Sequence, residues 1–322
     1  MALVTLALLL LFLGPVVLKR IAWLESSPRI GIGAWQALSA SAVLSVVLGS
    51  AALAVPSSAW SLNLVDLLGA CAMAFRHRYS TPAGVVLGSA AAAIALGLFA
   101  RLLYCAARGL IESSRLRRSH VLGLRLIAHH RRDLGALVID HPAAAAYCLP
   151  GRGSQVVLTS AAIEALDGGQ LAAVMAHERA HLRGHHHLVL AAARALDRAF
   201  PRVPLFREAR TAITRLVEMV ADDDAASTNG RLTVATALVR LGEHGMTPAA
   251  ALGAAEVSAV RRVRRLVSDP SPLGRSRTVL ALVSTALLLV VPLLVALVSS
   301  PMMGSMQYCP SDSVSHVACQ SR

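Results

Sequence analysis

The sequence predicts a mainly α-helical membrane protein that carries a small α+β domain between its third and fourth membrane-spanning helices. Apolar residues make up 55% of the 322-residue chain, charged residues only 15%, and the mean hydropathy is +0.60. The apolar residues are concentrated in four long runs, and the polar stretch between the third and fourth runs alternates short strand patterns with amphipathic helices. Together these observations favour a chain of which a large part lies in lipid.

Each of the four apolar runs is about long enough to cross a bilayer as a helix, which takes about 17–25 residues. They occupy residues 3–18, 33–55, 82–107 and 278–298. A fifth apolar stretch, residues 62–75, is shorter and is interrupted by Asn63, Asp66 and Gly69. We therefore expect an interfacial or re-entrant segment there, three spans within residues 1–107, a fourth span after residue 277, and a short tail at residues 299–322.

The basic residues predict the orientation of these spans. The net charge is +13, and Lys19 is the only lysine. With four crossings, the basic clusters fall on one side of the membrane: Lys19, Arg20, Arg29, Arg101, Arg108, Arg115, Arg117, Arg118, Arg261, Arg262, Arg264, Arg265, Arg275 and Arg277. The positive-inside rule makes that side cytoplasmic, so residues 108–277 are predicted to be cytoplasmic and both termini to lie outside. Arg76 and Arg78 are the exceptions.

The positions of the basic residues also indicate which binding partners to expect. A strongly basic chain is typical of nucleic-acid binding, but here the arginines lie beside apolar segments, where membrane orientation explains them. We therefore expect the lipid bilayer as a partner and no direct nucleic-acid binding.

The five cysteines follow the predicted topology. Cys309 and Cys319 share the outer tail, where a disulfide between them is expected, while Cys105 and Cys148 are expected to be free thiols. No Cys-x-x-Cys pair occurs, which argues against a zinc site built from thiolates.

The predicted cytoplasmic block begins with three strand patterns, at residues 134–140, 145–149 and 154–158. The turn Pro150-Gly151 joins the last two into a hairpin. Such an edge hairpin either binds an extended peptide by strand addition or simply caps the core, and the sequence favours neither.

A helix with two histidines follows the hairpin. It begins at an Asp167-x-x-Gln170 capping pattern and contains the motif His177-Glu178-x-x-His181. Histidines four residues apart share one helix face and can bind one metal ion, while the adjacent glutamate can reach a water molecule at that ion. Zinc hydrolysis uses this arrangement, so His177 and His181 are candidate ligands and Glu178 the candidate general base.

Catalytic zinc takes a third protein ligand, and Glu218 on a later amphipathic helix is the best candidate. Asp222 lies one turn further on the same side, where a carboxylate can orient a ligating histidine. Asp223 and Asp224 are expected to form a solvated helix end without a role. The consecutive histidines at 185–187 are expected to be solvated or to support the ligands, although His185 continues the i+4 series.

The segments 146–151, 157–160 and 171–181, followed by Glu218-x-x-Ala221-Asp222, resemble the BlaR/MecR-type membrane zinc metallopeptidases, which are gluzincins related to the HtpX and CAAX-prenyl-protease group. The resemblance implies a zincin-like α+β domain, zinc on His177, His181 and Glu218, and Glu178 as general base. It also implies a protein or peptide substrate, and the antibiotic-sensing members of the family inactivate a winged-helix repressor. Because Lys19 is the only lysine, no Ser-x-x-Lys acylation motif exists, and we expect no direct β-lactam sensing within this chain.

The sequence therefore predicts a membrane-embedded zinc endopeptidase with a regulatory role. Two alternatives are a quality-control protease of the HtpX type and a non-catalytic receptor that keeps the zinc fold as a scaffold. A metal transporter is disfavoured because the predicted spans contain no histidine. Tyr147, a histidine and an arginine before the fourth span all remain candidates for stabilising the oxyanion.

Overall fold

The computed structural model describes residues 2–54, 82–151, 153–244, 252–268 and 274–298. The predicted interfacial segment at residues 62–75 lies outside the described residues. The same holds for Arg76, Arg78 and the tail that contains Cys309 and Cys319.

The chain begins with three long apolar helices. They are α1 (Ala2–Arg20), α2 (Pro28–Ala54) and α3 (Pro82–Ile127). The third continues well past residue 107, where the apolar run ends, because no proline interrupts the charged sequence that follows. With the final helix, the described chain has four helices long and apolar enough to cross a membrane.

A mixed four-stranded sheet follows α3. Its strands are β1 (His129–Arg131), β2 (Ala136–Ile139), β3 (Ala146–Leu149) and β4 (Gln155–Thr159), in the spatial order β1-β2-β4-β3. Strands β2 and β4 are parallel, and the other two pairs are antiparallel. The β3–β4 hairpin lies where the sequence predicts it, with β3 at the edge. Strand β1 is fully exposed and lacks any apolar alternation, so the sequence gives no signal for it.

The remaining elements are helical. They are α4 (Ser160–Ala165), α5 (Gly168–Arg183), α6 (His186–Ala199), α7 (Pro204–Asn229), α8 (Arg231–His244), α9 (Leu252–Val267) and α10 (Arg275–Val298). Helix α5 begins with the predicted capping box, in which Asp167 and Gln170 each accept a backbone N–H. Helix α7 begins with proline at its first turn and ends before Gly230, whose φ of 84° favours glycine.

Helix α7 joins the apolar helices to the rest of the chain. Its buried face, which includes Leu205, Ile213 and Leu216, packs in one hydrophobic cluster with Trp35 and Leu38 of α2. Another side of α7 packs against α5. The helix that carries Glu218 is therefore fixed between the motif helix and the apolar helices by apolar burial.

A second cluster holds α5 against the sheet. Val156 and Leu158 of β4 pack against Val174 and Met175 of α5, and Ala237 of α8 joins them. This packing places strand β3 beside the turn of α5 that carries the two histidines.

Candidate metal centre

The two motif histidines lie on one face of α5, as their spacing predicts. Their Nε2 atoms are 3.2 Å apart, and the side chains are only 12% and 13% exposed. The two rings are nearly perpendicular, with centroids 4.9 Å apart. This geometry directs both Nε2 atoms toward one point rather than toward solvent.

Glu218 approaches the same point from α7. Its two carboxylate oxygens lie 3.6 Å from the Nε2 atoms of His177 and His181, and one donor atom of each residue lies within 4.8 Å of the others. A tetrahedral ion with bonds of about 2.0–2.1 Å separates its ligands by about 3.3–3.4 Å. Two imidazoles and a carboxylate at these distances form a donor set that fits zinc, with a fourth position left for water.

Burial and charge set the protonation of the donor set. Burial alone would lower the pKa of His177, but its contacts with Asp222 and Glu218 outweigh burial and raise the pKa to about 9. Burial lowers the pKa of His181 to about 4. Burial alone would raise the pKa of Glu218, but the hydrogen bond to His177 and the Arg262 charge bring it to about 2. The centre thus combines an ionised carboxylate with a neutral imidazole, and both can bind a cation.

Glu178 opens onto a cavity of about 240 Å³ that His177, Glu218 and Arg262 also line. Burial raises the pKa of Glu178 above the usual carboxylate value. The Cys148 thiol of β3 lies close enough to the Glu178 carboxylate for the carboxylate to raise the pKa of the thiol. The candidate base therefore shares a cavity with the candidate ligands and faces the edge strand.

Comparison with known families bears on this arrangement. Residues 118–218 match the family model described as Peptidase family M48. The match supports an M48 family metallopeptidase. M48 peptidases depend on a metal, and the matched segment runs from the polar end of α3 to Glu218. The match does not identify the BlaR/MecR type. The chain matches no curated protein and no solved structure.

Beyond the matched segment, Asp222 and Arg262 complete the surroundings of the candidate metal centre. Asp222 is 1% exposed, and its Oδ1 lies 3.1 Å from Nδ1 of His177. Arg262 of α9 donates two hydrogen bonds to Asp222, at 2.6 and 2.7 Å, and lies 3.1 Å from Glu218. One guanidinium thus pairs with both carboxylates, of which Asp222 is buried and Glu218 is 30% exposed.

The sequence analysis did not distinguish Arg262 from the other arginines before the fourth span. The structure distinguishes it from its neighbours by burial, since its side chain is only 12% exposed. One feature of the sequence could have pointed to Arg262. Two carboxylates on the same side of α7 require a positively charged partner from another element.

The sequence prediction that Asp223 and Asp224 form a solvated helix end without a role is wrong. Helix α7 continues to Asn229, so both residues are internal. Asp223 accepts two hydrogen bonds from Arg265, at 2.7 and 2.8 Å. Asp224 pairs with Arg29 of α2 and with Arg183 of α5, at 2.9 and 3.0 Å. These arginines come from distant parts of the chain, so the sequence pattern alone could not reveal the pairs.

The three consecutive histidines differ in their surroundings. His185 is exposed and adopts a left-handed φ of 49°, which ends the i+4 series at His181. His186 is 6% exposed, and its Nδ1 lies 2.9 Å from Nδ1 of His181. Gly184 makes this contact possible, because a Cβ there would lie 2.7 Å from Cδ2 of His186. Among the three, His186 is therefore the one that contacts a candidate ligand.

Tyr147 faces away from the centre. Its hydroxyl lies 2.9 Å from Nε2 of His120 on α3, whereas the neighbouring Cys148 contacts Glu178. Successive residues of a strand point to opposite faces, so β3 directs Tyr147 away from α5. Of the three kinds of candidate oxyanion donor, the structure thus places an arginine, Arg262, and a histidine, His186, near the ligands.

Proposed function

We propose that this chain is a membrane-embedded, zinc-dependent endopeptidase. The observation that carries the proposal is the convergence of His177, His181 and Glu218, with Glu178 opening onto the same cavity. The outer nitrogen of each histidine lies near a polar atom: Nδ1 of His177 is 3.1 Å from Oδ1 of Asp222, and Nδ1 of His181 is 2.9 Å from Nδ1 of His186. Without metal the raised pKa leaves His177 protonated, so a cation must displace its Nε2 proton before both Nε2 lone pairs can bind that cation.

A divalent zinc ion bound there would supply Lewis-acid chemistry, which polarises a carbonyl and makes a water molecule more acidic. Glu178 accepts the proton of the attacking water and then transfers it to the amine of the leaving peptide. Its raised pKa suits this double role, because a base with a pKa closer to neutrality also returns the proton readily. Arg262 keeps Glu218 and Asp222 ionised throughout.

Strand β3 is the proposed docking edge for the substrate. It pairs with β4 on one side, and within the described residues no strand pairs with its other side. An extended peptide added to this edge would run alongside Glu178, because Cys148 of β3 contacts that residue. The proposed substrate is accordingly an extended segment of a protein.

The proposed substrate is cytoplasmic or close to the membrane. Helix α7 shares a core with α1 and α2, which keeps the centre near the apolar helices. We infer from the basic clusters that α1, α2, α3 and α10 span the membrane with the centre on the cytoplasmic side. A cysteine placed at Ser154, in a variant without native cysteines, should react with an impermeant reagent only after the cells are permeabilised. Reaction in intact cells would contradict this orientation.

The BlaR/MecR resemblance favours a regulatory role in which the substrate is a transcriptional repressor. A quality-control protease of the HtpX type would cleave many membrane proteins instead of one regulator. A non-catalytic scaffold would have no use for a buried carboxylate at Glu178.

One comparison distinguishes these roles. Protein N-termini would be quantified by mass spectrometry in cells that carry either the wild type or Glu178→Gln. The proposal predicts N-termini that disappear in the variant: one or a few for a regulatory protease, many membrane-protein fragments for quality control. Identical sets of N-termini at equal bound zinc would instead support the scaffold.

A further inference from the structure

Another cavity lies where the apolar helices meet the rest of the chain. It has a volume of about 300 Å³ and is bounded by the end of α1, the turn that follows α1, and parts of α2, α7 and α9. Its apolar wall contains Leu18, Leu24 and Trp35, all of which are buried. The cavity is therefore located where the apolar sequence of α1 gives way to Lys19 and Arg20.

Three basic and two acidic side chains form most of the polar wall of this cavity: Lys19, Arg215, Arg261, Glu25 and Glu208. Lys19 pairs with Glu208 at 2.7 Å. Arg215 and Arg261 share a single carboxylate oxygen of Glu25, at 3.1 and 3.2 Å. Nε of Arg215 is buried and has no hydrogen-bond partner among the described residues. The wall thus carries an excess positive charge, and its two carboxylates do not saturate the guanidinium donors.

This combination of groups fits a phosphate ester. Phosphate oxygens accept charge-assisted hydrogen bonds from guanidinium and ammonium groups. Basic cavities between membrane helices on the cytoplasmic side bind anionic lipid headgroups through the same contacts. At roughly 30 Å³ for each water-sized group, the cavity accommodates about ten non-hydrogen atoms, which is the size of a glycerophosphate.

We propose that this cavity binds the phosphate of an anionic phospholipid headgroup. A lipid fits better than free phosphate, because the apolar wall at the end of α1 can pack against the carbon atoms of the ester. The inference rests on the proposed membrane location and not on peptide hydrolysis. Arg215 lies on the same helix as Glu218, and Arg261 directly precedes Arg262 on α9. A bound headgroup would therefore join α1 to the two helices that hold Glu218 and Arg262.

Native mass spectrometry of the full-length protein tests lipid binding directly. The protein would be released from micelles that contain equal amounts of phosphatidylglycerol, which is anionic, and phosphatidylcholine, which is neutral overall. We expect phosphatidylglycerol to be retained about 5-fold more, since one basic group at a membrane surface contributes about that factor. Equal retention of the two lipids would overturn the proposal. Retention that persists in excess inorganic phosphate would support the lipid, whereas displacement by inorganic phosphate would assign the cavity to free phosphate and contradict the lipid.

Two threonines of α7 provide matched variants that locate the lipid. Both are exposed, and each hydroxyl donates to the backbone carbonyl four residues earlier, but Thr211 lines the cavity and Thr214 lies outside its lining. Thr211→Glu adds a carboxylate to the cavity without breaking an ion pair and should lower retention of phosphatidylglycerol about 5-fold. Thr214→Glu should leave retention unchanged. Equal retention by the two variants would place the lipid elsewhere and overturn the proposal.

Lys19→Gln and Arg20→Gln form a second pair, which keeps the test decisive if Thr211→Glu does not fold. Both residues are exposed and basic at the end of α1, and of the two it is Lys19 that lines the cavity. Lys19→Gln should lower retention of phosphatidylglycerol about 5-fold, and Arg20→Gln should not. An equal loss in both variants would show that surface charge rather than the cavity attracts the lipid. That result would contradict the lipid site alone, because the labelling of a cysteine at Ser154 tests the membrane orientation separately.

Discussion

His181 and His186 meet through their Nδ1 atoms, which lie 2.9 Å apart. A hydrogen bond between them requires a proton on one of the two nitrogens and a lone pair on the other, and burial lowers the pKa of both histidines. When Nδ1–H of His181 donates to His186, Nε2 of His181 keeps its lone pair for a metal ion. His186 therefore fixes both the tautomer and the ring orientation of a ligand.

Replacing His186 by alanine should weaken zinc binding about 10- to 100-fold, the usual effect of losing a residue that orients a ligand. The affinity would be measured by competition with a chromophoric chelator. His187→Ala is the matched control, because His187 is the next residue of the same helix. Equal affinities for the two variants would show that His186 does not support His181.

Gly184→Ala should reproduce part of the loss of zinc affinity expected for His186→Ala, without removing any polar group. The added Cβ would collide with the His186 ring, which must then leave Nδ1 of His181. Gly242→Ala provides the control, because a Cβ at Gly242 meets nothing within 4 Å. Zinc competition would again be the measurement, and unchanged binding in Gly184→Ala would contradict the steric argument.

Arg262→Gln should be strongly destabilising. It leaves Asp222, which is 1% exposed, and Glu218 without their shared counter-charge. Removing one partner of a buried ion pair costs about 3–5 kcal/mol. The free energy of unfolding would be compared by denaturant titration in detergent with that of Arg264→Gln, an exposed arginine of the same helix. A difference below about 1 kcal/mol, the range of exposed ion pairs, would contradict the assigned role.

The Cys148 thiol should react slowly with alkylating reagents in the metal-free protein. Burial and the neighbouring Glu178 carboxylate raise its pKa to about 12, so the thiolate fraction near pH 8 is very small. Labelling should accelerate as the pH rises toward 12. Glu178→Gln removes the negative charge, lowers the thiol pKa and should speed labelling at constant pH. Mass spectrometry of the peptide that contains Cys148 measures the rate, and identical rates would contradict the contact.

Local features of the sequence were sufficient to predict much of the centre. The capping pattern at Asp167 and Gln170 sets the start of α5, and the i+4 spacing sets its histidine face. The amphipathic pattern around Glu218 predicted a helix with Glu218 and Asp222 one turn apart on the same side. These predictions depend on helical periodicity, which neighbouring residues determine.

Contacts between distant segments could not be predicted in the same way. Arg262 and Arg265 were interpreted as topology signals, yet each forms a two-fold hydrogen-bonded pair with an aspartate some 40 residues away. The turn at Gly184 and His185 brings His186 back onto His181, and that reversal depends on one left-handed residue. Strand β1 forms because β2 offers it a partner rather than because its own sequence favours a strand.

The metal content of the purified protein tests the central claim most directly. Zinc per chain would be measured by mass spectrometry for the wild type, Glu178→Gln, His181→Ala and Glu218→Ala at equal protein concentration. We predict one tightly held zinc in the wild type and in Glu178→Gln, and loss of that zinc in the other two variants. Zinc retained by both His181→Ala and Glu218→Ala, or absent from the folded wild type, would contradict the proposed metal centre.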